Sequence, residues 1–255
     1  TFSYIWSKVK LMNKKVKKYL RKYFLKYFLE FLVIVMGISV SFWLSNYQES
    51  VDNAEKEIQV YNDLFNGISS LDTRIKNRTF AFKFDLDIIE NLLGLSDFNK
   101  YNYDDLMTAV TDWRGFGQNQ ESYSTLKEEG SLKYIAFKEL KVKIEKFYGS
   151  AANVIILNME DDVIMQREIL NYLNYNYPKL VLTSNEYDDK SLMLNFKSVL
   201  KKDLTLKSLI KAKHRFMSYK YKGILNYDKV QKELKVQIKS ELDKLNKSWR
   251  LKTKP

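Results

Sequence analysis

Residues 27–47 read YFLEFLVIVMGISVSFWLSNY, and no other stretch constrains the chain so tightly. As a helix this run rises about 31 Å, which matches a bilayer hydrocarbon core of about 30 Å. Glu30 is its one charge. Tyr23, Phe24, Tyr27 and Phe28 flank one end, and Trp43 and Tyr47 the other. Such rings favour the headgroup level of a membrane. Phe31–Leu44 is apolar or small on every helical face, so it lacks the solvent side that a helix of a soluble domain carries. A single transmembrane helix at 27–47 is therefore expected. It divides the chain into a basic amphipathic cytoplasmic segment, 1–26, and an extracytoplasmic helical domain, 48–255.

Charge sets the orientation. Residues 1–26 carry +9, residues 27–200 carry −9, and residues 201–255 carry +12. Lys14, Lys15, Lys17, Lys18, Arg21 and Lys22 crowd the near side of the span, whereas Glu49, Asp52, Glu55 and Glu57 follow it. Basic flanks stay in the cytoplasm, so the N-terminus is expected inside and the C-terminal domain in the periplasm, anchored in the inner membrane. Ser39-Val-Ser41 is similar to a signal-peptide cleavage site, but an uncleaved anchor is the expectation. In residues 4–24, Ile5, Val9, Met12, Val16, Tyr19, Leu20 and Tyr23 recur every three or four positions among lysines. That pattern suits a helix lying on the anionic inner leaflet of the lipid bilayer, or else a basic tail that only sets topology.

One face of the span differs from the rest. Glu30, Gly37, Ser41, Ser45 and Gln48 follow one another at spacings of 7, 4, 4 and 3, with Ile34 completing the stripe. Small and hydroxyl side chains let transmembrane backbones approach and bond across. The stripe is expected to contact another copy of the chain or another membrane protein. Glu30 has three readings: an interfacial acid paired with Lys26 one turn earlier, part of that contact, or part of a pore or proton path.

Beyond the span the helical period persists. The chain has only 8 Gly and 2 Pro, too few for a sandwich or barrel. Val51, Ala54, Ile58, Tyr61, Phe65 and Ile68 form a short heptad seam with no breaker between it and the span. A stripe of Leu86, Ile89, Leu92 and Leu93 marks a helix over 80–95. Asn102 or Asp104 is placed to cap a short helix carrying Leu106, Val110 and Trp113. Arg114–Ser122 reads as a loop, and Gly130 as a helix end. Leu140, Ile144 and Phe147 mark the next helix, with Lys138 and Glu145 facing solvent. A long helix over Ala151–Tyr177 is expected to bury Val154, Leu157, Val163, Ile164, Ile169, Leu170 and Leu173. Phe196–Lys222 and Tyr227–Trp249 are two further helices. The second shows a 3.67-residue period (Tyr227, Val230, Leu234, Ile238, Leu242, Leu245, Trp249) that suits a straight helix. Lys179–Thr183 is the one short candidate for extended chain. The fold class is all-α: one N-terminal transmembrane helix followed by an extracytoplasmic bundle of five or six helices.

The opening and exit of the span, KYFLEFLVIVMGISVSFWLSNYQES at 26–50, carry a resemblance. Lys26, Tyr27, Glu30, Gly37, Ile38, Asn46 and Glu49 match the K-Y-x-x-E, G-I and N-x-x-E positions of an uncharacterised family of single-pass membrane proteins of Bacteroidota. The segment Tyr123–Tyr148 is similar to that family's Y-x-x-L-x-x-x-G-x-L block. The two motifs cover about 50 of the 255 residues. The family is a domain of unknown function, so the resemblance implies topology and compartment and brings no catalytic residue.

Composition removes several chemistries. With no cysteine there is no disulfide, iron–sulfur site or thiol nucleophile, and one histidine, His214, rules out a multi-histidine zinc site. Asp104/Asp105, Glu128/Glu129, Glu160/Asp161/Asp162 and Asp188/Asp189 are adjacent acids, which point about 100° apart on a helix and read as solvated faces. His214, between Lys213 and Arg215, reads as part of an exposed basic surface. The basic tail, with Tyr219, Tyr221 and Trp249, has the makings of a nucleic-acid surface, but the expected topology puts it across the membrane from the cytoplasm, so no nucleic acid is expected. No catalytic residue, cofactor or metal is assigned. The expected function is a non-enzymatic, membrane-anchored interaction or assembly subunit. The alternatives are a ligand-sensing or channel-like homo-oligomer, and a carboxylate-dependent hydrolase.

Overall fold

A computed structural model describes residues 14–117, 120–181 and 188–252. Every regular element among them is helical. The first helix, α1, runs Lys14–Ser69 without interruption, as the absence of a breaker after the span implies. The chain forms two compact units, Thr1–Glu55 and Lys56–Pro255.

In the first unit, the side chains of the span other than Leu32 lie exposed, Val33, Ile34 and Trp43 by more than 60%. Aromatic pairs stack near both of its ends, Phe24 on Phe28 and Trp43 on Tyr47. The expected amphipathic segment lies outside the described residues up to position 13. Lys14, Lys15, Lys17 and Lys18 belong to α1, although their side chains too lie outside the described set.

The second unit continues with α2 (Asp72–Leu92), α3 (Tyr103–Thr111) and α4 (Glu121–Glu128). A 3-10 turn (Ser131–Tyr134), α5 (Lys138–Lys146) and a π turn (Phe147–Ala151) lead into α6 (Ala152–Asn176). The short α7 (Pro178–Val181), α8 (Asp189–Lys202) and the long α9 (Leu204–Lys252) complete it. The starts and stops have local causes. Asn102 opens α3 with a full capping box: its side chain accepts from Asp105 N, and the Asp105 carboxylate accepts from Asn102 N. Gly130 takes φ of +68°, a left-handed turn that glycine adopts without steric cost. Asp203 ends α8 and starts α9 by accepting from Leu206 N at 2.9 Å.

The spine of the unit is α9. Its buried positions run 206, 210, 213, 217, 220, 224, 227, 231, 234, 238 and 242, a mean period of 3.6 over 36 residues. Steps of four and three alternate as far as 238, the spacing of heptad packing. In the C-terminal half Tyr227, Leu234, Ile238 and Leu242 are buried with Val230 and Leu245 packed against the same cluster, as the stripe starting at Tyr227 implies. Helix α9 runs antiparallel to α2, since Asp72 meets Gln231 and Lys235 while Phe82, farther along α2, meets the earlier Lys220. It also runs antiparallel to α6, since Ile155 lies beside Gly223 and Asp162 meets Lys213 and Lys220. A Cβ on Gly223 would lie 3.1 Å from Ile155 Cγ1, so glycine permits the close approach of these two helices.

Other expectations need correction. Phe196–Lys222 is not one helix. The chain turns at Asp203, where the Tyr172 and Tyr177 hydroxyls also donate to its carboxylate, and α9 then continues through Gly223. Pro178–Val181 is a helical turn, not extended chain: Tyr103 donates its hydroxyl to Leu180 O. The inner face of α6 is rotated from the expected one in the N-terminal half, whereas Ile169 and Leu173 are buried as expected. Ala152, Ile155, Met159, Asp162, Ile169 and Leu173 are buried, while Val154, Leu157 and Ile164 are exposed. Hydropathy alone cannot rank two apolar stripes on one helix, and here the stripe containing an aspartate packs inward. Trp113 lies beyond α3 and is 51% exposed. Leu140, Ile144 and Phe147 are buried with Lys138 and Glu145 exposed, as expected.

The Asn102 cap supplies a direct check on local control. Asn102→Ala should lower the unfolding free energy by about 1 kcal/mol, and Asn102→Gly by only a few tenths, because glycine is itself a tolerable cap. Chemical denaturation followed by circular dichroism measures both. Equal losses would mean the side-chain cap contributes nothing.

Candidate functional site

Three features of the molecule are candidates for function: an ionic layer in the second unit, a trough between α2 and α9, and the striped face of the span.

The ionic layer lies where two apolar clusters meet. On α2, Phe82 belongs to one cluster, Leu86 to the other, and Asp85 stands between them. On α6, Met159 and Ile169 divide the same way around Asp162. On α9, Met217 and Ile224 do so around Lys220. Lys220 Nζ donates to Asp162 Oδ2 at 2.5 Å and sits over the Phe82 ring at 4.6 Å. Lys213 Nζ pairs with Asp162 Oδ1 at 3.2 Å and reaches the Asp112 carbonyl at 3.5 Å. Arg114 Nε donates to Asp85 Oδ2 at 2.6 Å. The Lys213 and Lys220 side chains are 1% exposed and that of Asp162 is 2%.

Three cations thus share two carboxylates. Burial pulls the Lys213 ammonium below the usual lysine range, against the opposing field of Asp162. Burial likewise holds the Asp85 carboxyl above the usual carboxylate range, with Arg114 opposing. Asp85 Oδ1 is buried with no hydrogen-bond donor among the described residues. Next along α9, His214 Nε2 lies 3.5 Å from Glu90.

These residues correct two expectations. Asp162 does not belong to a solvated acidic face; only Glu160 and Asp161 do. Lys213 is not part of an exposed basic surface, and His214 is half-buried. A signal was present in the sequence. Lys213, Lys220 and Gln231 occupy positions of the α9 heptad, and Asp162 lies seven residues from both Ile155 and Ile169. A charge in register with an apolar stripe is a candidate for burial.

The second feature is an open trough of about 790 Å³ between α2 and α9. Phe80, 73% exposed, and Val236, 69% exposed, form its apolar wall. Lys76, Lys83, Lys232 and Lys235 line it, with Asp72 and Asp228.

The span carries the third feature. Ile34, Gly37, Ile38, Ser41, Phe42 and Ser45 line one shallow concavity of about 580 Å³ along the helix. Glu30 and Gln48 are exposed, and Glu30 pairs with Lys26 at 3.9 Å. A side chain added at Gly37 would meet nothing within 4 Å. Arg21 and Lys22 are exposed on the same helix. Three of the other adjacent acids have local duties. Asp105 completes the α3 cap, Asp188 accepts from Ser191 N, and Asp189 accepts from Tyr103 N across to α3. Among the described residues no three His, Asp or Glu side chains group as a metal site requires.

The molecule is an all-helical protein with one N-terminal helix long and apolar enough to cross a membrane. Its most apolar 18-residue window has a mean hydropathy of 2.0 and none of it is buried by the chain itself. No family model, curated protein or solved structure matches the chain.

The ionic layer makes an asymmetric prediction. Asp162→Ala leaves two buried ammonium groups without their shared partner and should cost about 3–5 kcal/mol of stability. Lys213→Met keeps the Lys220–Asp162 pair and removes one desolvated charge, so it should be neutral or stabilising. The pH sign follows from the lowered Lys213 pKa. Between the folded pKa and the ordinary value of 10.5, the unfolded chain holds the proton more tightly than the folded one. Stability from this group therefore rises with pH through that interval, and Lys213→Met should remove the rise. Thermal denaturation of the full chain in detergent across alkaline pH reads both effects.

Proposed function

We propose that this protein is a non-enzymatic, membrane-anchored interaction or assembly subunit. Residues 27–47 cross the inner membrane once, residues 1–26 remain cytoplasmic, and the helical domain from residue 48 lies in the periplasm. The observation that carries this reading is the apolar span, whose side chains the chain leaves exposed to its surroundings. Hydrocarbon is the solvent that such a surface requires, whereas a soluble protein would have to cover it. Lysines and Arg21 on one side and carboxylates on the other orient it. This reading also fits the single-pass Bacteroidota proteins that residues 26–50 resemble.

Within the bilayer, the concavity formed by Gly37, Ser41 and Ser45 is the contact face for a second copy or another membrane protein. Lipid tails do not reward small or hydroxyl side chains, but close backbone packing does. Lys26 and Glu30 lie at the cytoplasmic boundary, where the pair is hydrated and stabilises little.

Two measurements test this reading. The native chain has no cysteine, so single cysteines at 37, 41 and 45 can be crosslinked cleanly. They should crosslink more efficiently than cysteines at 36, 40 and 43, and Gly37→Leu should loosen the assembly without preventing insertion. Uniform crosslinking around the helix would overturn the contact face. A reporter active only outside the cytoplasm, fused after Pro255, should be active. Activity of a cytoplasm-only reporter at that position would overturn the topology.

A further inference from the structure

We propose that the trough between α2 and α9 is the seat of an acidic amphipathic helix from another protein. The inference rests on the reading of the chain as an interaction subunit, but on none of the residues of the span.

The shape of the trough selects a helix. Its walls are two antiparallel helices, and the α2 wall from Asp72 to Lys83 is twelve residues, about 16 Å or three turns. The lining positions on α2 (72, 76, 79, 80, 83) and on α9 (221, 228, 232, 235, 236) each follow one helical face. A helix laid along such a track presents apolar residues at every third or fourth position to it. Small ligands, by contrast, favour concave sites that bury most of their surface, and this trough is open along its length.

An anchor is already in place. The Phe80 ring projects into solvent yet is held by stacking on Phe84, with centroids 6.3 Å apart. Phe84 in turn meets Phe98 edge-on at 5.8 Å. An aromatic group fixed before binding loses little conformational freedom on binding, and exposed aromatic anchors of this kind dominate interface energetics. Val236 supplies the opposing apolar contact.

Charge selects the partner's sign. Four lysines line the trough against two carboxylates. Lys83 is paired with Asp87 and Lys232 with Asp228, each one turn away on its own helix and solvent-exposed at the lysine. Such pairs are worth only a few tenths of a kcal/mol, so both lysines can turn to an incoming carboxylate at small cost. Lys76 is exposed and has no acidic partner among the described residues. Lys235 is more firmly held, by Asp72 at 2.5 Å, and closes one end. The same charge disfavours a second copy docking face to face. A two-fold contact matches a patch with itself, which here sets lysines against lysines.

The experiment uses the full chain in nanodiscs of zwitterionic lipid. The probe is a stapled, fluorescein-labelled helical peptide of four turns. It carries leucine or phenylalanine at every third or fourth position and glutamate elsewhere. Its twin has lysine in place of each glutamate, and empty nanodiscs give the lipid background. The acidic peptide should bind at least tenfold more tightly than its twin, with affinity falling as salt rises. Phe80→Ala, and Lys76→Glu with Lys83→Glu, should each weaken it at least tenfold, whereas Leu204→Ala, an exposed apolar site elsewhere on α9, should not. A zero-length carbodiimide crosslinker should join the peptide to Lys76, Lys83 or Lys232.

Several results would overturn the proposal. Equal binding of the twins would show apolar partitioning only. Binding unchanged by Phe80→Ala would place the peptide elsewhere. A smaller native mass for Phe80→Ala without peptide would give the trough to a second copy. Displacement of the acidic peptide by dodecyl phosphate at concentrations below its micelle point would give it to a small amphiphile. Cysteine crosslinks within the span do not depend on these residues, so failure in the trough and failure of the anchored-subunit reading are separately visible.

Discussion

Asp162 shared between Lys213 and Lys220 is the interaction on which the arrangement of the second unit depends. Taking an ion out of water costs several kcal/mol even after relaxation, so a buried carboxylate must meet its partners in good geometry or destabilise the fold. That requirement is a register constraint. Helix α6 presents Asp162 midway between the two lysines of α9, which are seven residues and two turns apart, and Asp85 of α2 lies in the same field. A one-turn slip of α6 along α9 would strand Asp162 against apolar neighbours. The apolar contacts above and below are far less selective, since one leucine or isoleucine replaces another at modest cost. The layer therefore contributes alignment, while the two apolar clusters that it separates contribute the stability.

The same heptad logic accounts for the second buried polar residue of α9. Gln231 donates to the Ile68 carbonyl and to Asp72, tying the end of α1 and the start of α2 to one position of the spine. Ile68 O lies at the C-terminal end of α1 and accepts from Leu71 N at 3.2 Å. The side-chain amide reaching that carbonyl from across the core is its second donor and ties the end of α1 to α9. The spine thus holds three neighbours through three buried polar residues, Lys213, Lys220 and Gln231, each at a position where the pattern calls for an apolar residue.

Residues of one chemical kind occupy two settings in this protein. Ile34, Ile38 and Phe42 are exposed on α1, while Ile68, Ile75 and Phe82 are fully buried in the second unit. Local sequence distinguishes the two sets by context. In the span, apolar residues surround the helix on every side; in the bundle, they alternate with lysine, aspartate and asparagine every third or fourth residue. Where a helix carries two apolar stripes, as α6 does, context stops discriminating. Val154, Leu157 and Ile164 are as hydrophobic as the buried set, and they face outward because the stripe bearing Asp162 is the one with partners waiting on α9.

The sequence by itself determined the helical class, the position of the apolar span, a cap at Asn102 or Asp104 and the burial of Leu140, Ile144 and Phe147. Each is a short-range property: a period, a run length or a hydrogen bond reaching three residues along the chain. The stripe of Gly37, Ser41 and Ser45 was visible for the same reason, since residues four apart share a helical face whatever surrounds them. Tertiary structure alone decided that Asp162, Lys213 and Lys220 are inside, because a charge is buried only when a partner 51 or 58 residues away arrives at the same place. It also made the trough, for Phe80 and Val236 lie 156 residues apart and become one surface only when α2 and α9 pack antiparallel. Sequence pattern records what a residue's neighbours on its own helix require; which face a helix turns inward is settled by what the other helices bring to meet it.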